Sequence, residues 1–147
     1  MAPLMETPPV DFKLILCEAA HADPVGTLHM LGAGWSITGT PTGPQALALL
    51  IKVPWDRANE RLPLAVELLS EDGHPVVLSG PDGAPTPVRA EAVLEVGRPV
   101  GVAKGSPLDA SFAINFGSLP LTAGRYQWKA EIAGDQQSES FTVRPTP

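Results

Sequence analysis

The chain is poor in the residues that most chemistries need. It holds one cysteine, Cys17, so no disulfide closes within it and nothing points to an oxidising compartment. It holds three histidines, His21, His29 and His74, and a single tyrosine, Tyr126. Basic residues are few: ten Lys and Arg against sixteen Asp and Glu leave a net charge of -6. A phosphate-backbone binder needs a basic stripe, so nucleic acid is not an expected partner. No apolar run approaches a membrane span, and no membrane partner is expected. FKLILCEAAHA, near the start, has an apolar segment followed by small residues, as a secretory leader does. It fails as one: Glu6 and Asp11 precede it, no basic region does, and the apolar run at 14–17 is too short. The expected location is the cytoplasm, or an assembly made there.

A convincing 3.6-residue period is also missing, and no internal repeat is visible. What is abundant is punctuation. Seventeen prolines and fourteen glycines are spread along a chain that is 44% hydrophobic, which fits short strands joined by turns. The length fits one domain with a core large enough to need no disulfide or metal. The expected division is a lead-in at 1–9, one domain at 10–144 and a tail at 145–147.

The clearest alternation lies at 119–143. Tyr126, Trp128, Ala130 and Ile132 share one side of a strand, with Arg125, Gln127, Lys129 and Glu131 on the other. A turn at 133–135 returns the chain with Phe141 and Val143 inward. Tyr126 follows a Pro/Gly corner, where a tyrosine hydroxyl bonds back across the turn in immunoglobulin-like sandwiches; an ordinary core aromatic is the alternative. Upstream, strands are expected at 10–17, 46–53, 64–68, 88–96 and 110–116, with 75–78 returning from an Asp-Gly turn at 72–73. The segment 46–53 is apolar on both faces, as a central strand is. Residues 18–26 read as a loop, and 27–31 is expected to pair with 35–38 around Gly32-Ala33-Gly34, read as a bulge or close backbone approach. Residues 55–61 lack strand character and read as one helical turn or an exposed corner. The fold class is therefore all-β, an immunoglobulin-like antiparallel β-sandwich of about eight or nine strands, without the Cys-Trp-Cys spacing of antibody domains.

Chemistry has few carriers. His21, Asp23 and His29 fall close in sequence but match no metal-ligand spacing, so surface histidines are the simpler reading and no metal is expected. Cys17 ends an apolar strand, where a thiol is a small buried hydrophobe rather than a nucleophile. A Gly-x-Ser-x-Gly elbow, a phosphate loop and a calcium loop are all missing. No catalytic residue and no cofactor is expected. Trp55, between Pro54 and a charged corner, either caps the core or is presented to a partner, and Trp35 shares that ambiguity.

Three patterns resemble an uncharacterised bacterial family of small β-sandwich domains: KLILCEAA…GTLHMLGAGW (13–35), IKVPWDRANERLPLAVELLSEDG (51–73) and AINFGSLPLTAGRYQWKAEI (113–132). The resemblance implies a small sandwich and carries no catalytic residue. The expected role is a non-catalytic interaction or assembly protein, with a protein partner or self-association, a scaffold or phage-type decoration component included. Its candidate surface is Met1, Leu4, Met5, Trp35, Trp55, Asp56 and Arg57. The alternative is a small-ligand or carbohydrate-binding module using exposed tryptophans.

Overall fold

Alternation at 119–143 becomes the longest regular hairpin of the molecule. In the computed structural model, which describes residues 7–146, the strands run in chain order as follows. They are β1 (Asp11–Cys17), β2 (Ala19–Ala22), β3 (Leu28–Leu31), β4 (Ile37–Thr38), β5 (Gln45–Val53) and β6 (Leu62–Ser70). Then come β7 (Val77–Ser79), β8 (Pro85–Pro87), β9 (Arg89–Leu94), β10 (Leu108–Gly117), β11 (Gly124–Ile132) and β12 (Asp135–Val143). A 3-10 turn, Trp55–Arg57, follows β5. Met1, Leu4 and Met5 lie outside the described residues.

Two sheets face each other, one ordered β1-β5-β10 and the other β4-β12-β11-β6-β9. These eight strands are the sandwich; β2-β3 and β7-β8 are separate hairpins. Ile132 pairs with Asp135, so β11 and β12 are joined by the two residues Ala133-Gly134, both at positive φ (49° and 95°). That mirror-image turn matches the twist of the strands it connects. Inward side chains of both sheets meet in one core, among them Phe12, Leu49, Leu64, Trp128, Ile132 and Phe141. Trp128 is fully buried, stacks on Phe116 at 4.6 Å between ring centroids, and donates Nε1–H to Gln45 Oε1 at 2.9 Å. A Leu-to-Ala change at a buried position such as Leu49 costs about 2–5 kcal/mol by lost transfer energy and residual cavity.

Tyr126 closes the corner that delivers β11: its hydroxyl donates to the Thr122 carbonyl at 2.8 Å while its ring stacks on Phe141. The tyrosine-corner reading holds. So does the central-strand reading of 46–53, with an added reason. Leu47, Leu49, Ile51 and Val53 face the main core, while Ala46 and Ala48 face a second, smaller cluster with Cys17 and Ala20.

That second cluster corrects two expectations. Residues 18–26 are not wholly loop: β2 lies there and pairs with β3, covering the outer face of the three-stranded sheet. Residues 27–31 therefore do not pair with 35–38. Instead Ile37 and Thr38 join β12 in parallel at the far edge of the other sheet. The small side chains of β2 carry little local signal, and the apolar patch of Cys17, Ala46 and Ala48 beneath them helps make the hairpin favourable. Gly32 turns at φ 63°, and a Cβ there would lie 2.5 Å from Glu18 Cγ, so what comes close is the Glu18 side chain rather than backbone. Pro75 bridges Leu69 as expected of a returning strand, but the chain then leaves as the β7-β8 arm before β9 takes the place beside β6.

Candidate functional site

Trp55 sits where Pro54 ends β5 and turns the chain into a 3-10 turn. Asn59, at φ 62°, reverses the backbone and donates its N–H to the Val96 carbonyl at 2.7 Å, so the corner is fastened to the segment after β9. Arg98 comes with that segment. Its guanidinium carbon lies 4.3 Å from the centre of the Trp55 ring, and Nη2 donates to the Trp55 carbonyl at 2.7 Å. The cation over the indole face and the bond to its own backbone fix the ring from one side.

Arg57, expected at the surface, is buried with 8% of its area exposed, which corrects its place in the candidate surface. It forms a two-pronged pair with Glu60 at 3.1 and 3.0 Å, and Nη1 donates to the Pro8 carbonyl at 3.2 Å. The hydrogen bonds hold the Glu60 carboxyl below its ordinary pKa and raise that of Arg57. Together with Val10 N–H donating to Asp135 Oδ2 at 2.9 Å, this pins the end of the lead-in beside the corner. Arg57 is an anchor, buried because its charge is satisfied on the spot.

The pinned lead-in forms one wall of an open hollow of about 480 Å³. Trp55, Pro9, Pro54 and Pro107 supply apolar walls, and Asp11, Lys52 and Asp56 supply charge. A second hollow of about 500 Å³ shares Asp11 and Lys52 and runs over Leu50, which is 42% exposed, towards Ser111 and Gly26. Lys52 pairs with Asp109 across the strands at this junction. The two hollows thus form a groove from Trp55 along the outer face of β5. Asp56 is exposed at its mouth.

Trp35 does not share this groove. It packs edge-on to Phe141 at 5.1 Å, with Nε1 buried and unpartnered. Phe141 is six residues along β12 from Asp135, which is beside the Trp55 corner, and that is about 20 Å of extended chain. The idea of two tryptophans on one carbohydrate platform is overturned by this separation.

His21 and His29, by contrast, are directly opposite one another in the β2-β3 hairpin, with stacked rings 6.4 Å apart. Asp23 Oδ1 accepts the backbone N–H groups of Val25 and Thr27, and Oδ2 lies 3.0 Å from His29 Nε2. These bonds, His29 first, lower the Asp23 pKa. The arrangement clips the hairpin turn. Among the described residues no group of three or more His, Cys, Asp or Glu is placed to hold a metal ion. Cys17 lies under the hairpin, on the side of Ala20, while both imidazoles project from the other. Burial raises its thiol pKa, and no imidazole stands beside it to take the proton.

Of the groove, the sequence had indicated Trp55 and Asp56. Lys52, near the end of the strand that leads into Trp55, was not singled out, and Arg98, Pro107 and Asp109 carry no local signal, since they reach the site from the segment after β9 and the start of β10.

No family model matches the chain, and no curated protein does. Solved structures do match, seven chains in all. Among them is the CARDB domain of the PF1109 protein from Pyrococcus furiosus, solved in complex with di-metal ions. It superposes with a TM-score of 0.50 over 98% of this chain and 100% of that one, at 8% sequence identity. A likeness at that identity concerns the fold: the chain has a β-sandwich architecture like that of a CARDB domain.

Proposed function

We propose that the protein is a non-catalytic interaction module that meets a protein partner along the groove beside Trp55. The observation that carries this reading is the clamped indole: Arg98 holds one face and its carbonyl, and the ring borders a hollow walled by three prolines. Rigid aromatic and proline walls lose little conformational freedom when a partner docks, so contact area converts efficiently to affinity. The groove carries both signs of charge, from Lys52, Asp11 and Asp56, which suits an extended peptide with mixed side chains. Neither the thiol nor the imidazoles of the chain lie in it, which speaks for binding without covalent chemistry. Assembly or scaffolding, decoration of a phage-type particle included, is a use to which such a module can be put.

Carbohydrate binding is the second reading, and it rests on Trp55 alone with Asp56 as the polar neighbour. One experiment separates the two. Peptides selected from a display library against the wild-type protein should bind a Trp55→Ala variant at least tenfold more weakly, with the circular dichroism spectrum unchanged. Selected peptides that bind the variant equally well would dismiss the groove. Glycan-array signals that vanish in Trp55→Ala, in the absence of peptide binders, would favour the carbohydrate reading.

A further inference from the structure

Four strand edges end the two sheets, and three of them are short or occupied. β4 is two residues long. At β1 the N–H of Val10 is held by Asp135, the Leu16 carbonyl accepts the N–H of Gly34 at 2.7 Å, and β12 packs alongside. β10 carries the β2-β3 hairpin, with Asn115 holding both the N–H and the carbonyl of Ala20. β9 has β6 on one side and, among the described residues, no strand on the other.

The ladder shows which peptide groups of β9 are free. Leu68 N–H donates to the Val88 carbonyl, and register then places Ala90, Ala92 and Leu94 against Val66, Leu64 and Leu62. In an antiparallel ladder alternate residues face the same partner, so the even positions of β9 bond to β6. The Ala133 N–H to Pro63 carbonyl bond agrees, since it turns the odd positions of β6 towards β11. The N–H and carbonyl groups of Arg89, Glu91 and Val93 therefore face away from the sheet. Among the described residues no other backbone or side-chain group bonds to them.

Charge decides what this edge accepts. A run of one sign repels its own copy, but here a cation and an anion stand two residues apart, both exposed. A two-fold pairing of β9 with itself must match odd positions to odd positions. Registers centred on Arg89 or on Glu91 oppose like charges. A register centred on Ala92 sets Glu91 opposite Val93 and forms no pair of opposite charges within the strand, since Arg89 would then meet only Glu95, beyond its end. A register centred on Ala90 sets Arg89 opposite Glu91 of the other copy, twice by symmetry.

We propose that β9 pairs antiparallel with β9 of a second copy of this chain, centred on Ala90, joining two five-stranded sheets into one of ten strands. Centred on Ala90, the overlap of strand with strand is the three residues Arg89–Glu91, and Val93 falls opposite Pro87, which has no N–H to give, so the association is weak and concentration-dependent. It does not rest on the Trp55 groove, and a partner can occupy that groove in either state.

Sedimentation velocity over a concentration series tests it. The wild type should pass from monomer to dimer with rising concentration. Arg89→Glu and Glu91→Arg should each weaken the dimer about tenfold or more, because each sets like charges opposite one another twice. An equimolar mixture of the two variants should dimerise again, since every pair then has opposite signs, and that rescue also shows both variants folded. Trp55→Ala should leave the dimer intact. A wild type that stays monomeric up to about 1 mM, where a millimolar Kd would be visible, overturns the proposal. So does a dimer that survives both single substitutions, or a mixture that fails to associate.

Discussion

Gln45 and Trp128 set two opposing penalties against each other in the middle of the core. Gln45 is 1% exposed; its Oε1 accepts the indole N–H, while its Nε2 is buried without a partner. Replacing Gln45 with leucine keeps most of the side chain's bulk, though it is one atom shorter, and removes both polar atoms. The indole N–H then loses its acceptor, at about 1–3 kcal/mol, while the stranded amide nitrogen disappears, a gain of about the same size. The two nearly cancel, and Gln45→Leu should fall within about 1 kcal/mol of the wild type. Gln45→Ala loses the same acceptor and leaves a cavity as well, so it should be about 2–4 kcal/mol less stable than Gln45→Leu. Urea unfolding followed by tryptophan fluorescence, to which Trp35, Trp55 and Trp128 all contribute, reads this. With a slope of about 2 kcal/mol per molar for a chain of this size, the two variants' midpoints should differ by roughly 1–2 M. A Gln45→Leu protein as unstable as Gln45→Ala would refute the cancellation, and would mean that Nε2 is satisfied in solution, as by a buried water.

Three further outcomes follow from the geometry. Ala133 occupies a left-handed conformation at φ 49° ahead of Gly134, where asparagine is better suited. Ala133→Asn should therefore raise stability by about 1 kcal/mol, a gain of about 2–4 °C in Tm by calorimetry; a fall in Tm would contradict the turn assignment. Cys17, buried with a raised pKa, should resist alkylation in the native protein at pH 8 and react at once in urea. Fast native alkylation would reopen its candidacy as a nucleophile. Asp23, whose folded pKa is lowered chiefly by His29 and then by the Thr27 N–H, contributes to the hairpin turn above the ordinary carboxylate pKa. That contribution should fade as pH falls through the lowered folded value. Amide-exchange protection at Val25 and Thr27 should drop over that range, and Asp23→Asn should remove the pH dependence.

The fold class was legible because alternation is a local property. Tyr126, Trp128, Ala130 and Ile132 point inward for the same reason in the sequence and in the sandwich: successive side chains of a strand leave opposite faces. The Ala133-Gly134 turn and the Tyr126 corner were equally local, needing only a few neighbouring residues. Strand partners were harder. Residues 27–31 could pair with either flank, and the choice of β2 depended on Ala46 and Ala48, which lie more than twenty residues from β2 and join Cys17 and Ala20 only in the folded chain.

The candidate site divides along the same line. Trp55 and Asp56 drew attention because a tryptophan between a proline and charged residues is a marked local pattern. Arg57, its neighbour, went inward because Glu60 and the Pro8 carbonyl satisfy its charge, and only folding brings Pro8 there. Arg98 lies 43 residues from Trp55 and meets it through the sheet-to-sheet crossing after β9. By itself, then, the sequence determined an acidic all-β chain, its inward faces and its tight turns, since those depend on side-chain period and backbone preference. Only the tertiary structure decided which edges stay open, which charged groups are buried and what surrounds Trp55. Those outcomes depend on where distant segments come to rest, and no local pattern encodes that.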